Sequence, residues 1–369
     1  MNRRTFVQVS SAAATAATAA AEGGIPEYEV VSAFKPAAHP GMPGPYPGQV
    51  VSVHAGKCID AETEQVDAPT VKEMISRGMQ ALTGAKSDAD AWRKFIVPSD
   101  VVGIKVNCSG APGAMSTPEV VAEIARNLIA TGVKPEQIYV WERSQLPRAG
   151  YGKYVPTGVQ LHTAGRALDA KTYVECNFFG EEDTRSNMVS LITQKLTKII
   201  NVPNMKDHGA AGVTGCLKNI AYGSFGNVAR SHRNDKTNTL SFIGALAAVE
   251  PIRSRTVLNI MDGIRGVWHG GPFSPSKKFR FYPKELLFGT DPVAMDRLLI
   301  DIIDNKRKAE GAVSVWHHDM KYVKAGSSYS DDPNIDRFLR EPGHIEYAAK
   351  KYGLGVYDIK KINVKRIEV

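Results

Sequence analysis

"DVVGIKVNCSGAPGAMSTPEVVAEIARNLIATGVKPEQIYVWER", residues 100 to 143, decides how the chain should fold. "VVGIKV" is a continuous apolar run, as expected of a strand buried on both faces of a parallel sheet. The loop "SGAPGAM" follows, rich in glycine and proline. Ser116 or Thr117 then offers a helix cap, with Pro118 and Glu119 in the first turn. Val120, Val121, Ile124, Leu128 and Ile129 repeat at helical spacing, and Gly132 marks the stop. "QIYVWER" supplies the next strand. Strand, loop, helix, strand is a βαβ unit with a right-handed parallel crossover.

The same alternation extends in both directions. "QVVSVHAG" (49–56) reads as a strand and "APTVKEMISRGMQALTG" (68–84) as a helix, its Val71, Ile75, Met79 and Leu82 forming a core-facing stripe. "LTKIINVPN" (196–204) is a strand leading into "MKDHGAAGVTGCLKN" (205–219), with a helix expected to begin near Gly212. "TVLNIMDGIRGVWHGGP" (256–272) is a strand and a turn-rich loop. "ELLFGTDPVAMDRLLIDIIDN" (285–305) is a strand, an Asp291 cap with Pro292 behind it, and a helix. The predicted fold class is α/β: a mainly parallel sheet flanked by helices, with a small insertion and a C-terminal closing strand. The insertion spans residues 151–182, where periodicity is weak and short antiparallel strands are expected. Residues 50–369 form a single domain behind a Pro/Gly-rich lead-in, 22–49.

The N-terminus carries Arg3 and Arg4, a weakly apolar Ala/Thr/Val stretch, and small residues ending at Ala21. It is too short and too polar to span a membrane and reads as a twin-arginine export signal. The implied partner is the twin-arginine export machinery, and the implied location is periplasmic or extracytoplasmic. Taking those two arginines from 46 basic residues leaves 44 against 38 acidic ones, a net +6 spread without a polybasic run. That distribution suits anionic small molecules better than nucleic acid. No later segment is apolar for long enough to form a membrane span. Cys58, Cys108, Cys176 and Cys216 are widely spaced with no CxxC, so there is no iron–sulfur motif, and buried free thiols are the default.

Ligands of open parallel sheets bind beyond the carboxyl ends of the strands. Collecting the residues there gives Lys105 and Asn107, Glu142 and Arg143, Lys206, Asp207 and His208, Asp262, and Asp291. Small residues at 209–212 let backbone N–H groups approach a ligand, and a helix start adds a positive end. Lys218 and Asn219, then Arg230, His232 and Arg233, add more polar and cationic groups. An anionic small molecule is the expected ligand, held by Lys105, Asn107, Lys206, Lys218, Asn219, Arg230 and Arg233. His208 and His232 are the candidate proton carriers, with Asp262 and Asp291 orienting them. No cofactor is identified. A divalent metal is admissible through His208, His232, Asp262 and Asp291, assembled from separate loops because no HxxxH or HExxH spacing occurs. No Walker, GxGxxG or Gly-x-Ser-x-Gly motif is present.

These segments in this order resemble the bacterial and archaeal family catalogued as domain of unknown function 362. The resemblance rests on "DVVGIKVN", "STPEVVAEIARNLIATGV", "INVPNMKDHGAAGVTGCLKNIAYG", "LNIMDGIRGVWHGGP" and "LLFGTDPVAMDRLLIDII". It carries over onto Lys105, Asn107, Lys206, His208, Lys218, Asn219, Asp262, Asp291 and Asp296. Many members resemble ferredoxin fusions with CxxCxxC clusters, a pattern from which this chain departs. A more distant similarity to the nickel-pincer lactate racemase family implies proton or hydride chemistry at a carbon beside a carboxylate. Two readings follow: an exported enzyme acting on a hydroxy acid or sugar acid, metal-assisted or not, and a non-catalytic periplasmic ligand-binding or cofactor-delivery protein.

Overall fold

The computed structural model describes residues 24–37, 41–233, 236–273, 276–324, 326 and 331–369. The twin-arginine segment lies outside the described residues. The apolar runs become neighbouring strands of one large sheet, in the order Asn363–Glu368, Gln49–His54, Glu285–Gly289, Thr256–Val267, Lys198–Val202, Val102–Val106, Ile138–Glu142, Gln160–Thr163. Neighbours are parallel except on the two sides of Glu285–Gly289, which runs against all the rest. After Pro203 the chain continues as Asn204–His208, parallel to Thr256–Val267, and turns back through Gly212–Val213. The architecture is α/β.

Alternation along the strands sorts the core into two layers. Val102, Ile104, Val106, Val140, Ile200 and Ile260 are fully buried on one face, where the helices Ala68–Thr83, Asp88–Arg93 and Pro118–Ala130 contribute their apolar sides. Trp141, Ile199, Met205 and Met261 belong to the other layer, with the helices Gly215–Ser224, Thr239–Ala247, Pro292–Ala309 and His344–Tyr352. The stripe Val71, Ile75, Met79, Leu82 is buried as its spacing predicts, and Asp67 caps that helix by accepting from Thr70 N. Each such aliphatic side chain contributes about 1.5–3 kcal/mol of transfer free energy.

Helix Pro118–Ala130 starts at the expected proline, yet its cap differs from expectation. Thr117 occupies the cap position without a side-chain capping bond, and Ser116 Oγ donates to Val202 O and accepts from Asn107 N. The segment after Tyr151 does two things. Gln160–Thr163 extends the main sheet, while Leu168–Glu175 and Arg185–Val189 form an antiparallel pair. Glu29–Val31 joins that pair as a third strand, and Met42 is fully buried, so parts of the Pro/Gly-rich lead-in pack against the rest. The C-terminal strand closes the sheet beside Gln49–His54. All four cysteines are free and buried.

Candidate functional site

Parallel strands deliver Lys105, Asn107, Arg143, Lys206 and His208 to one edge, and helix Gly215–Ser224 lays Lys218, Asn219 and Tyr222 beside them. Two of the lysines are locked. Lys105 Nζ lies 2.5 Å from Val106 O, 3.2 Å from Asn219 Oδ1 and 3.4 Å from Glu142 Oε1. Gly223 makes that path possible, because a Cβ there would lie 2.2 Å from Lys105 Cε. Lys206 Nζ donates to Asn107 Oδ1 and to Ala114 O, each at 2.7 Å. The amides form a buried relay: Asn107 Nδ2 donates to Asn219 Oδ1, Asn219 Nδ2 to Asn201 Oδ1, and Asn201 Nδ2 to Asn259 Oδ1. Buried polar groups need such partners, so the relay and the two lysines hold one another in place.

Lys218 is different. It is 8 % exposed, and among the described residues its ammonium meets no hydrogen-bond acceptor and no carboxylate. Its ammonium lies over the face of Tyr222, 4.5 Å from Nζ to the ring centre. Tyr222 is itself held by a 2.8 Å bond between its hydroxyl and Ser231 Oγ. Burial, then the charges of Arg143 and Lys206, push the Lys218 ammonium down to about 7. Arg143, partly exposed, likewise has no ion pair among the described residues. Lys206 is pushed down to about 7 by burial, although Cys108, Glu142 and Asp262 oppose the fall.

On the other side of Lys218 lie three histidines. His208 Nδ1 accepts from Ala210 N at 3.1 Å and Ala211 N at 3.2 Å, which assigns its proton to Nε2. Its pKa is held well below the usual value by burial first and by Lys218 next. His232 packs edge-on, ring centres 6.0 Å apart, and is pushed down to about 4 by burial and by Lys218. His344, brought in from the C-terminal helix, is fully buried and also falls to about 4. Asp207, expected among the edge residues, anchors this side: it accepts from Gly271 N at 2.7 Å and faces Arg340 at 3.4 Å, and Arg340 is clamped by Asp336.

Four expectations are corrected. Asp291 lies at the opposite edge, because Glu285–Gly289 runs antiparallel; it caps helix Pro292–Ala309 through Ala294 N and accepts from Gly48 N and Val356 N. Asp262 sits on the other face of the sheet with Ile260 and Ile264, and both of its oxygens are used, by Thr117 N at 2.5 Å and Ile264 N at 3.0 Å. Arg230 is paired with Glu181 at 2.9 Å and stacked on Phe178 and Phe242, and Arg233 donates to Phe179 O, so both serve the 176–181 turn. The positive helix end is also taken: the helix starts at Gly215, not Gly212, and Asp296 accepts from Cys216 N at 2.5 Å and Leu217 N at 2.9 Å. Gly215, at φ +56°, is required there because a Cβ would lie 2.3 Å from Asp296 Oδ1.

His208, His232, Asp262 and Asp291 therefore do not assemble as ligands, and among the described residues no group of three or more His, Cys, Asp or Glu is placed to hold a metal ion. A cavity of about 280 Å³ opens by the start of helix Pro118–Ala130, where Arg148, Lys153 and Arg265 are set against Glu64 and Glu119. None of the Lys218 group lines it. Sequence reasoning missed Tyr222 and His344 as members of the site. Tyr222 had a signal, four residues after Lys218 on one helix face. His344 had none, since tertiary packing alone brings it in. Among the described residues no helix is long and apolar enough to cross a membrane.

A comparison with curated proteins returns no match. The model of the family described as Domain of unknown function (DUF362) matches residues 102–301, more than half of the 369. That span includes the strand of Lys105, the amide relay and Lys218, and the chain belongs to this family.

Proposed function

We propose that this protein is an enzyme that draws an anionic small molecule, a hydroxy acid or sugar acid, to Lys218 and moves a proton on it. The observation that carries the reading is a buried cation with no counter-ion among the described residues, within the electrostatic reach of a second such cation, Arg143. Burying a charge without a partner is costly, and a bound carboxylate or phosphate would supply the missing partner. Arg143, whose planar guanidinium matches a carboxylate in a two-point contact, serves as the anchor. Lys218, titrating near neutrality, is suited to take a proton from the carbon beside the carboxylate. His208 has Nδ1 occupied and its proton on Nε2, so it acts as a donor to a substrate oxygen. This reading assigns no step to a metal. We further propose that the Arg3–Arg4 leader directs the folded protein across the membrane, as its pattern implies.

One observation favours a carrier without turnover. Glu142 is engaged by Lys105 and Ser144 N, and Asp262 by two backbone N–H groups, so neither carboxylate is free to act as a base. The test is to incubate the protein in D₂O with a panel of 2-hydroxy acids and sugar acids and follow exchange of the C2 proton by NMR. Exchange that is lost in Lys218→Arg supports the enzyme. Calorimetric binding without exchange supports the carrier, and no binding of any member overturns both.

A further inference from the structure

We infer that Lys218 is a covalent nucleophile for the carbonyl of a 2-oxo acid, forming an imine while Arg143 holds the carboxylate. The inference rests on the anion site proposed above and places a 2-oxo acid in it instead of a hydroxy acid. The first support is a comparison within one cluster. Three lysines are buried at this edge; Lys105 and Lys206 have acceptors for their N–H groups, and Lys218 has none among the described residues. Donated hydrogen bonds hold the Lys105 and Lys206 side chains in place, whereas no such bond among the described residues fixes the Lys218 nitrogen, which is left able to turn toward a carbonyl carbon.

The second support is the surroundings. Lys218 is buried enough to be desolvated and keeps 8 % exposure. The Tyr222 ring, 4.5 Å below the nitrogen, limits the directions in which the side chain can swing. His208 and His232 both lie within the field of Lys218, and neither carries a charge near neutral pH. His208 Nε2–H is a hydrogen-bond donor available to the departing oxygen, while the two protons that leave with it come from the amine. Ordinary acid–base roles would be met equally well by a histidine in this place. A primary amine adds what a histidine cannot, a nitrogen that can form a double bond to carbon.

The step balances without any redox partner. The amine lone pair attacks the carbonyl carbon and the C=O π bond opens to a carbinolamine. The remaining C–O bond then breaks, and the oxygen leaves as water with both hydrogens given up by nitrogen, leaving C=N. The imine makes the C–H at C3 acidic, so the proton moved on a 2-oxo acid is the one on C3, since C2, the imine carbon, carries none.

The experiment treats the full-length protein with pyruvate and sodium cyanoborohydride, then reads intact mass and a peptide map, with calorimetry of pyruvate binding alongside. The expected result is one reduced pyruvyl adduct per chain, mapped to Lys218 and absent in Lys218→Arg. Mapping on the unaltered protein does not depend on any variant folding. An adduct spread over surface lysines, or one that persists in Lys218→Arg, overturns the inference. Pyruvate binding with no adduct overturns the imine but leaves the anion site standing. Loss of both binding and adduct overturns the two together.

Discussion

Replacing Lys218 by Met should make the protein more stable at pH 6 and have no such effect above pH 10.5. The side chain is 8 % exposed and its pKa falls from 10.5 to about 7, which corresponds to about 5 kcal/mol of unfavourable charge burial at 1.36 kcal/mol per pH unit. Met keeps most of the length and loses the cation–π contact with Tyr222, a loss of about 1 kcal/mol. A shorter chain and local relaxation take about 1 kcal/mol more, leaving a net gain of roughly 3 kcal/mol. Below pH 7 the lysine is protonated in both folded and unfolded chains, so the whole burial cost is present. Between 7 and 10.5 only the unfolded chain holds the proton, wild-type stability rises with pH, and the gap to the variant narrows. Above 10.5 neither holds it, the gain is gone, and only the packing loss of about 1 kcal/mol remains, against the variant. Guanidinium unfolding followed by fluorescence can measure this, since Trp92 and Trp141 are fully buried. A variant less stable than wild type at pH 6, or a gap that ignores pH, would refute the reasoning. A charge retained at this cost points to selection for function over stability.

Gly223→Ala should destabilise by about 1–3 kcal/mol, because a methyl 2.2 Å from Lys105 Cε would push that side chain off its acceptors; thermal unfolding checks it. Asp296→Ala should cost about 2–4 kcal/mol by leaving the N–H groups of Cys216 and Leu217 without a partner, while Asp296→Asn, which still offers an acceptor, should cost less. Asp291→Ala should lower stability by about 1–2 kcal/mol through loss of a helix cap, yet leave phosphate affinity by calorimetry unchanged, since it lies at the opposite edge. Arg340→Met should destabilise by about 3–5 kcal/mol, because Asp207 and Asp336 would be left buried without their cation.

The βαβ unit at 100–143 was legible because a long apolar run, a proline at the first helical turn and 3.6-residue spacing agree with one another. Strand direction was not. "ELLFG" is buried whichever way it runs, so nothing local told that Glu285–Gly289 reverses, and the reversal carries Asp291 to the far edge. The small residues at 209–212 were read as the place of close approach, but the glycine that needs it is Gly215, and the group that approaches is the Asp296 carboxylate, some eighty residues further on. Arg230 and Arg233 were legible as cations and illegible as partners of Glu181 and the Phe179 carbonyl. The two clusters therefore differ in origin. Lysine and asparagine at strand ends could be read from position, whereas the lack of a partner for Lys218 among the described residues is a property of the packed molecule alone.

The most direct measurement is an NMR titration of the Lys218 ε-carbon in ¹³C-lysine-labelled protein, assigned with Lys218→Arg, with and without saturating inorganic phosphate. The account predicts a midpoint near 7 in the free protein, rising when phosphate binds and supplies the absent counter-charge. A midpoint at the ordinary lysine value of 10.5, or one that phosphate does not move, would contradict it.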